Sequence, residues 1–273
     1  MDELLYERRG PLALITLNRP DRLNAITYGM RTGVMDMARE AEADEAVIAI
    51  CFTGAGRGFC AGVEMDQLVK ATAEGRGPVA PRADEPQEEI PGLFAGLQRI
   101  AKPVIAAVNG PAAGAGFSLA MMSDLRFVAE GAIMTTTYSR RGLIAEHGTS
   151  WVLPRLVGVS RALDLLWSSR RVSAEEALRI GLADRVCPAD GLIDAVAAYV
   201  QDLAENVGPT SMAIIKSQVY RHLSESFPVA ARETDQLVRE SLTRPDAKEG
   251  AASFVERRPP KFARWKGWEA LGG

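Results

Sequence analysis

The stretch "AAVNGPAAGAGFSLAMMSDLRF", residues 106–127, decides the fold. It opens inside a continuous apolar run, "KPVIAAVNG" (102–110), which is the pattern of a strand buried on both faces. Gly110, Gly114 and Gly116 then bring a turn, "GFSLAMM" reads as a helix, and "DLRFVAE" (124–130) predicts the next strand. A strand, a glycine-rich turn and a helix in that order place unpaired backbone N–H groups at the helix start, with small residues that let another backbone or a ligand come close. The glycine spacing does not give the G-x-G-x-x-G of a dinucleotide fold, and no P-loop lysine follows.

The same order appears upstream. "AVIAICFTG" (46–54) is a second continuous apolar run, and "GRGFCAG" (56–62) is its turn. Two such turns, one per strand, converging on one oxygen would make an oxyanion hole. Each turn is also what tight strand–helix packing needs. "GFCAG" (58–62) further has the outline of a nucleophile elbow, with Cys60 as the thiol and His147 as its base; the other reading of Cys60 is a small buried apolar residue.

Working outward, "PLALITLNRP" (11–20) predicts a strand and a turn, and "AITYGMRTGVMDMAREAEAD" (25–44) has helical spacing. "LADRVCP" (182–188) predicts another strand. Strands separated by helical stretches imply an α/β fold with helical crossovers. "ATAEGRGPVAPRADEPQEEIPG" (71–92) has no hydrophobic period and reads as a surface loop, of a length that is often functional inside compact domains. Beyond about residue 205 the pattern is helical, with a start at Pro209–Thr210, and its apolar faces need a partner.

The 273 residues carry 47% hydrophobic side chains and a net charge of −3, without a broad basic footprint for nucleic acid. A local exception is the basic stretch "ERRPPKFARWKG" (256–267). Cys51, Cys60 and Cys187 are an odd set, and "MDELLYERRG" has neither the basic nor the apolar region of a secretion signal, so a cytoplasmic enzyme is expected. No apolar run approaches the roughly 20 residues that cross a bilayer, so no membrane association is expected.

"GRGFCAGVEMDQL" (56–68) and the 106–127 stretch resemble the two signature segments of the crotonase superfamily, the enoyl-CoA hydratase/isomerase family. "LITLNRPDRLNAI" (14–26) resembles its first strand and CoA-contacting turn, and "RLVGVSRALDLLWSSRRVSAEEALRIGLADRV" (155–186) its later helices and strand. The resemblance runs in order over about residues 10–220. It implies a crotonase-like spiral of ββα units over 1–204 and a helical C-terminal oligomerisation region over 205–273, which packs on neighbouring subunits in a homo-trimer or hexamer.

It also implies an acyl-CoA thioester substrate, no metal, and no cofactor beyond the coenzyme A that the substrate carries. The N–H groups of Ala61 and Ala115 would hold the thioester oxygen, Ala115 standing where relatives often have glycine. Arg22, Leu23, Ala25, Asp66 and Leu68 would meet CoA, and Lys261 and Phe262 would reach its phosphates, often from a neighbouring subunit. The two acids of a typical hydratase fall on Ser118 and Tyr138, neither of them acidic.

One acid remains, Glu146 in "GLIAEHGTSW" (142–151), at a position where isomerase-like members keep a single Asp or Glu. An acid just before a helix also complements the macrodipole. The resemblance favours enoyl-CoA double-bond isomerisation with Glu146 as the single acid/base; in hydration with one carboxylate, Tyr138 or His147 would be the helpers. The alternatives are a hydratase with a non-standard site, a thioester hydrolase or acyl transferase using Cys60, and a non-catalytic CoA-binding paralogue.

Overall fold

The computed structural model describes residues 2–75 and 93–269. β1 (Leu4–Arg9) and β2 (Leu12–Leu17) form an antiparallel hairpin with Leu4 opposite Leu17. β1 was not predicted: its charged residues face solvent, and Leu4 alone in it is buried. α1 (Tyr28–Ala43) starts where Thr27 Oγ1 accepts the Met30 N–H at 3.1 Å, a side-chain N-cap. Its Met30, Val34, Ala38 and Ala41 recur at helical spacing and are buried.

β3 (Ala49–Gly54) is buried at all six positions, as a continuous apolar run predicts. α2 (Met65–Ala73) follows its turn. The loop expected over 71–92 therefore begins as the last turn of a helix, and 76–92 lies outside the described residues. A short 3-10 helix over Ala95–Arg99 leads to β4 (Val104–Val108), β5 (Ala112–Ala113) and α3 (Ala115–Met122). Next come β6 (Leu125–Ala129), β7 (Ile133–Thr135), α4 (Thr149–Val157), α5 (Val159–Ser168), β8 (Val172–Ser173), α6 (Ala174–Ile180) and β9 (Arg185–Cys187).

The main sheet has the order β1-β2-β3-β4-β6-β9, parallel from β2 onward. A second, narrower ladder runs beside it. Ile26 bridges Val63, Cys60 bridges Ala112, β5 pairs with β7, and β7 with β8. Each ββα unit adds one rung to both ladders, which gives the spiral. The strands of the second ladder, two or three residues long, are too short for any hydrophobic period to show.

α7 (Leu192–Asn206) buries Leu192, Val196 and Val200 in the same core. α8 (Pro209–His222) is latched to that core by Asp124. Lys216 Nζ lies 2.6 Å from Asp124 Oδ2, and the Tyr220 hydroxyl donates to Oδ1 at 2.8 Å. Beyond α8 the chain returns, and Trp265 is buried against Ala213 of α8 and Ala101 before β4. α9 (Phe227–Leu242) buries no residue, and Phe227 and, in α10 (Pro245–Glu256), Phe254 are 84% and 85% exposed. No described helix is long and apolar enough to cross a membrane.

Candidate active site

β3 and β4 are parallel neighbours, so the turns leaving their C-terminal ends emerge side by side. The Ala113 N–H donates to Cys60 O at 2.9 Å, and the Cys60 N–H to Pro111 O at 3.1 Å. A Cβ on Gly116 would stand 2.2 Å from Cys60 O, so no larger residue fits that approach. Two asparagines hold the first turn. Asn24 Nδ2 donates to Gly58 O at 2.8 Å, and Asn109 Nδ2 to Gly54 O at 2.9 Å.

The turns offer backbone donors, but not the pair expected. Ala115 is the first residue of α3, so its N–H has no intrahelical acceptor, and no other acceptor meets it among the described residues. The Ala61 N–H, by contrast, donates to Leu23 O at 2.9 Å. It is spent on structure and is not a free donor, which corrects the expectation for Ala61.

Two residues on, Gly62 O accepts the Ile26 N–H at 2.7 Å. A trans peptide points its C=O and N–H in opposite directions, so the Val63 N–H faces away from Ile26, on the side where Ala112–Ala115 runs. Gly62 itself, at φ +104°, lies against that strand: a Cβ there would be 3.0 Å from Ala113 O and 3.6 Å from the Ala115 nitrogen. Val63 N–H meets no acceptor among the described residues.

Glu146 lies three residues before α4, whose N-cap is Gly148. Its carbonyl accepts the Thr149 N–H at 2.9 Å and also the Thr149 hydroxyl. Its carboxyl caps nothing: it is half-buried, meets no hydrogen-bond or ion-pair partner among the described residues, and burial raises its pKa. The helix-start reading of this acid therefore finds no support in the contacts.

His147 is held differently. Its Nδ1 accepts the Leu93 N–H at 3.3 Å, and burial lowers its pKa to about 4, so the ring is neutral near pH 7. With Nδ1 occupied, His147 reads as a support of the turn.

Ser118 and Tyr138, where the resemblance would place the two acids of a hydratase, face each other. Ser118 Oγ and the Tyr138 hydroxyl oxygen are 2.7 Å apart, and Tyr138 is 3.3 Å from Thr149 Oγ1. All three residues are buried, and burial raises the Tyr138 pKa. A neutral hydroxyl network thus fills the space.

Arg22 is exposed at the end of a 3-10 turn over Pro20–Arg22, while Leu23 and Ala25 are wired into the first turn. Leu23 O holds Ala61, and Ala25 O accepts Arg19 Nη1 at 2.7 Å. Arg19 Nη2 also pairs with Glu64 Oε1 at 2.5 Å. Asp66 and Leu68 stand on the opening turns of α2, which follows directly. Arg22–Ala25, Gly62–Leu68 and Ala115 are thereby gathered around one end of the sheet.

Lys261 and Phe262 are not part of that group within one chain. The Lys261 N–H is fixed by Glu249 Oε1 at 2.6 Å, and Phe262 lies beside Gly208 and Gly250. The Cys60 thiol is fully buried, with a pKa pushed up to about 12, so it is not a thiolate near neutral pH. Val63 and Thr149 were not read from the sequence. The signal for Val63 is its bridge to Ile26, a partner that only the fold identifies.

Residues 7–265 match the enoyl-CoA hydratase/isomerase family. The chain is 33% identical over 264 residues to a protein of Escherichia coli (strain K12) named 1,2-epoxyphenylacetyl-CoA isomerase, covering 95% of this chain and 97% of that one. It is 34% identical over 258 residues to a probable enoyl-CoA hydratase of Rhodobacter capsulatus, covering 94% and 96%. Among solved structures, a probable enoyl-CoA hydratase/isomerase from Mycobacterium abscessus superimposes with a TM-score of 0.83 at 32% identity, covering 96% of this chain and 99% of the other. Paired glycine-rich turns at the ends of adjacent parallel strands, a spiral of ββα units and likeness over nearly the whole length agree: the chain belongs to the enoyl-CoA hydratase/isomerase family and is an acyl-CoA enzyme.

Proposed function

We propose that the enzyme moves the double bond of a 3-enoyl-CoA, with Glu146 as its single acid/base. The observation that carries this reading is the contrast between a half-buried carboxyl at Glu146 with no partner among the described residues and the hydrogen-bonded hydroxyl pair at Ser118 and Tyr138. Glu146 removes a proton from C2. The electron pair moves into the thioester, and the negative charge collects on its oxygen. The N–H groups of Ala115 and Val63, the latter in place of Ala61, hold that oxygen; one such donor is typically worth about 10²–10³ in rate. The same carboxyl then returns the proton at C4, leaving the 2-enoyl-CoA. A carboxyl whose pKa is raised is a stronger base when ionised and a ready donor when protonated.

CoA lies along Arg22–Ala25 and the opening turns of α2, which carry Asp66 and Leu68. Lys261 and Phe262 serve the CoA of a neighbouring subunit, since they stand apart from the site of their own chain. The division near residue 205 has the same meaning: α9 and α10 present unpartnered apolar side chains that assemble a homo-trimer or hexamer.

Hydration of a 2-enoyl-CoA is the second reading, favoured by the hydratase name of the Rhodobacter relative. A substrate panel decides between them. Conversion of 3-enoyl-CoA to 2-enoyl-CoA supports isomerisation, and accumulation of a 3-hydroxyacyl-CoA supports hydration. Release of free CoA would bring back thioester hydrolysis, and binding without turnover a non-catalytic role.

A further inference from the structure

Behind the site runs a chain of hydroxyls that the proposed proton transfer does not use. Ser118 Oγ, the Tyr138 hydroxyl and Thr149 Oγ1 follow one another at 2.7 and 3.3 Å, and Thr149 donates to the Glu146 carbonyl. Ser118 and Thr149 are fully buried and Tyr138 is 2% exposed, so water does not compete for these bonds.

Counting protons sets the direction. Each hydroxyl has one proton to give. Thr149 spends its proton on the Glu146 carbonyl, so its oxygen accepts from Tyr138. Tyr138 has then spent its own, so its oxygen accepts from Ser118. All three links are satisfied, each polarising the next. Gly114 O, 3.2 Å from Ser118 Oγ and 3.3 Å from the Tyr138 hydroxyl, is a weaker shared acceptor beside them.

The chain starts on α3, three residues after Ala115, and ends on the backbone of Glu146. Between Tyr138 and α4 the main chain has only one short 3-10 turn, over Ser139–Arg141, and takes left-handed φ values at Gly142, His147 and Gly148. The first half of this segment is held by the Leu143 N–H on Tyr138 O at 3.1 Å and by Ser139 Oγ on Trp167 O at 2.7 Å, and the half around Glu146 by Thr149 and by the Leu93 N–H on His147 Nδ1.

We infer that the Ser118–Tyr138–Thr149 hydroxyl chain is a positioning device that fixes the Glu146 carboxyl relative to the Ala115 N–H, with Tyr138 as its middle member. The inference rests on Glu146 being the base. Tyr138 acts through Glu146 and touches no substrate.

Tyr138→Phe keeps the ring and removes the middle hydroxyl. The test follows a 3-enoyl-CoA deuterated at C2 through four readouts: kcat, KM, the fraction of deuterium delivered to C4, and the thermal midpoint. A carboxyl displaced by about 1 Å costs on the order of 10²-fold in kcat. KM should change little, because the loss falls on the transition state. The deuterium fraction should fall, since a mislaid carboxyl exchanges with solvent before it redelivers. Thr149→Val should do the same, and Thr149→Ser should restore both.

A smaller folded population scales kcat but leaves the deuterium fraction unchanged, so that pattern overturns the inference. So does a Tyr138→Phe enzyme with wild-type kcat. Glu146→Gln separates the two readings: if it is inactive while Tyr138→Phe is normal, only the positioning role falls. If it is active, the base assignment falls and the positioning role with it. Should the wild-type enzyme hydrate 2-enoyl-CoA without isomerising, the same variants are read on hydration by the split between kcat and KM.

Discussion

Arg19 Nη2 lies 2.5 Å from Glu64 Oε1, and the pair braces the turn that carries the Val63 N–H. Arg19 also donates to Ala25 O and sits 3.3 Å from Glu3, so one guanidinium ties the turn after β2 to the start of α2. Glu64→Ala should destabilise the fold by about 1.5–3 kcal/mol, the usual worth of a hydrogen bond to a charged group. It should also lower kcat more than it raises KM. Denaturant titration and steady-state kinetics on one preparation check both.

Glu146→Gln should lose about 10²–10⁴ in turnover while keeping acyl-CoA affinity, because the amide preserves shape and the backbone donors remain. In the wild-type enzyme the acid limb of kcat should lie above the ordinary carboxylate range, because burial raises the Glu146 pKa and only the ionised form takes the first proton. A kcat–pH profile and a binding titration with a saturated acyl-CoA test this.

Ala115→Pro isolates the second backbone donor. Proline suits the first position of a helix, where the N–H has no intrahelical partner, and Gly114 before it tolerates the restriction. The thermal midpoint should stay near wild type. Turnover should drop on the order of 10²–10³. Wild-type turnover in this variant would remove Ala115 from the oxyanion hole.

His147 makes stability acid-sensitive. Its folded pKa is lowered to about 4, below the 6.5 of an unfolded histidine. Between these values the unfolded chain binds the extra proton, so its contribution to stability is present above pH 6.5 and lost as pH falls toward 4. Denaturation midpoints across that window should fall in the wild type and fall less in His147→Gln.

The exposed Phe227 and Phe254 predict assembly. Sedimentation should give a trimer or hexamer at micromolar protein, and Phe254→Asp should shift the population toward smaller species. A stable wild-type monomer would refute the assembly proposal.

The buried strands were legible because β3 and β4 are apolar on both faces and lead into glycine-rich turns. α8 was legible because Pro209 marks its start. β1 was not, since a hairpin edge exposes Glu7, Arg8 and Arg9 and leaves one buried residue to signal a strand. The end of the sheet that carries the candidate site was legible from its two glycine-rich turns. Which peptide of the first turn has a free N–H depends on what Leu23 and Ile26 accept and donate, and those partners are distant in sequence. Glu146 stood out as an acid among small residues, but the use of its carbonyl by Thr149 leaves no trace in residue type.

Trp265 over Ala101, and Lys216 with Tyr220 on Asp124, have a consequence for biosynthesis. Ala101 precedes β4 and Asp124 precedes β6, so the strands that frame the second turn are closed by segments made long after them. A nascent chain that has emerged only through α7 holds both glycine-rich turns, yet leaves Asp124 without its lysine and Ala101 without its cover. The ribosome must deliver α8 and the Trp265 strap before these central strands are sealed.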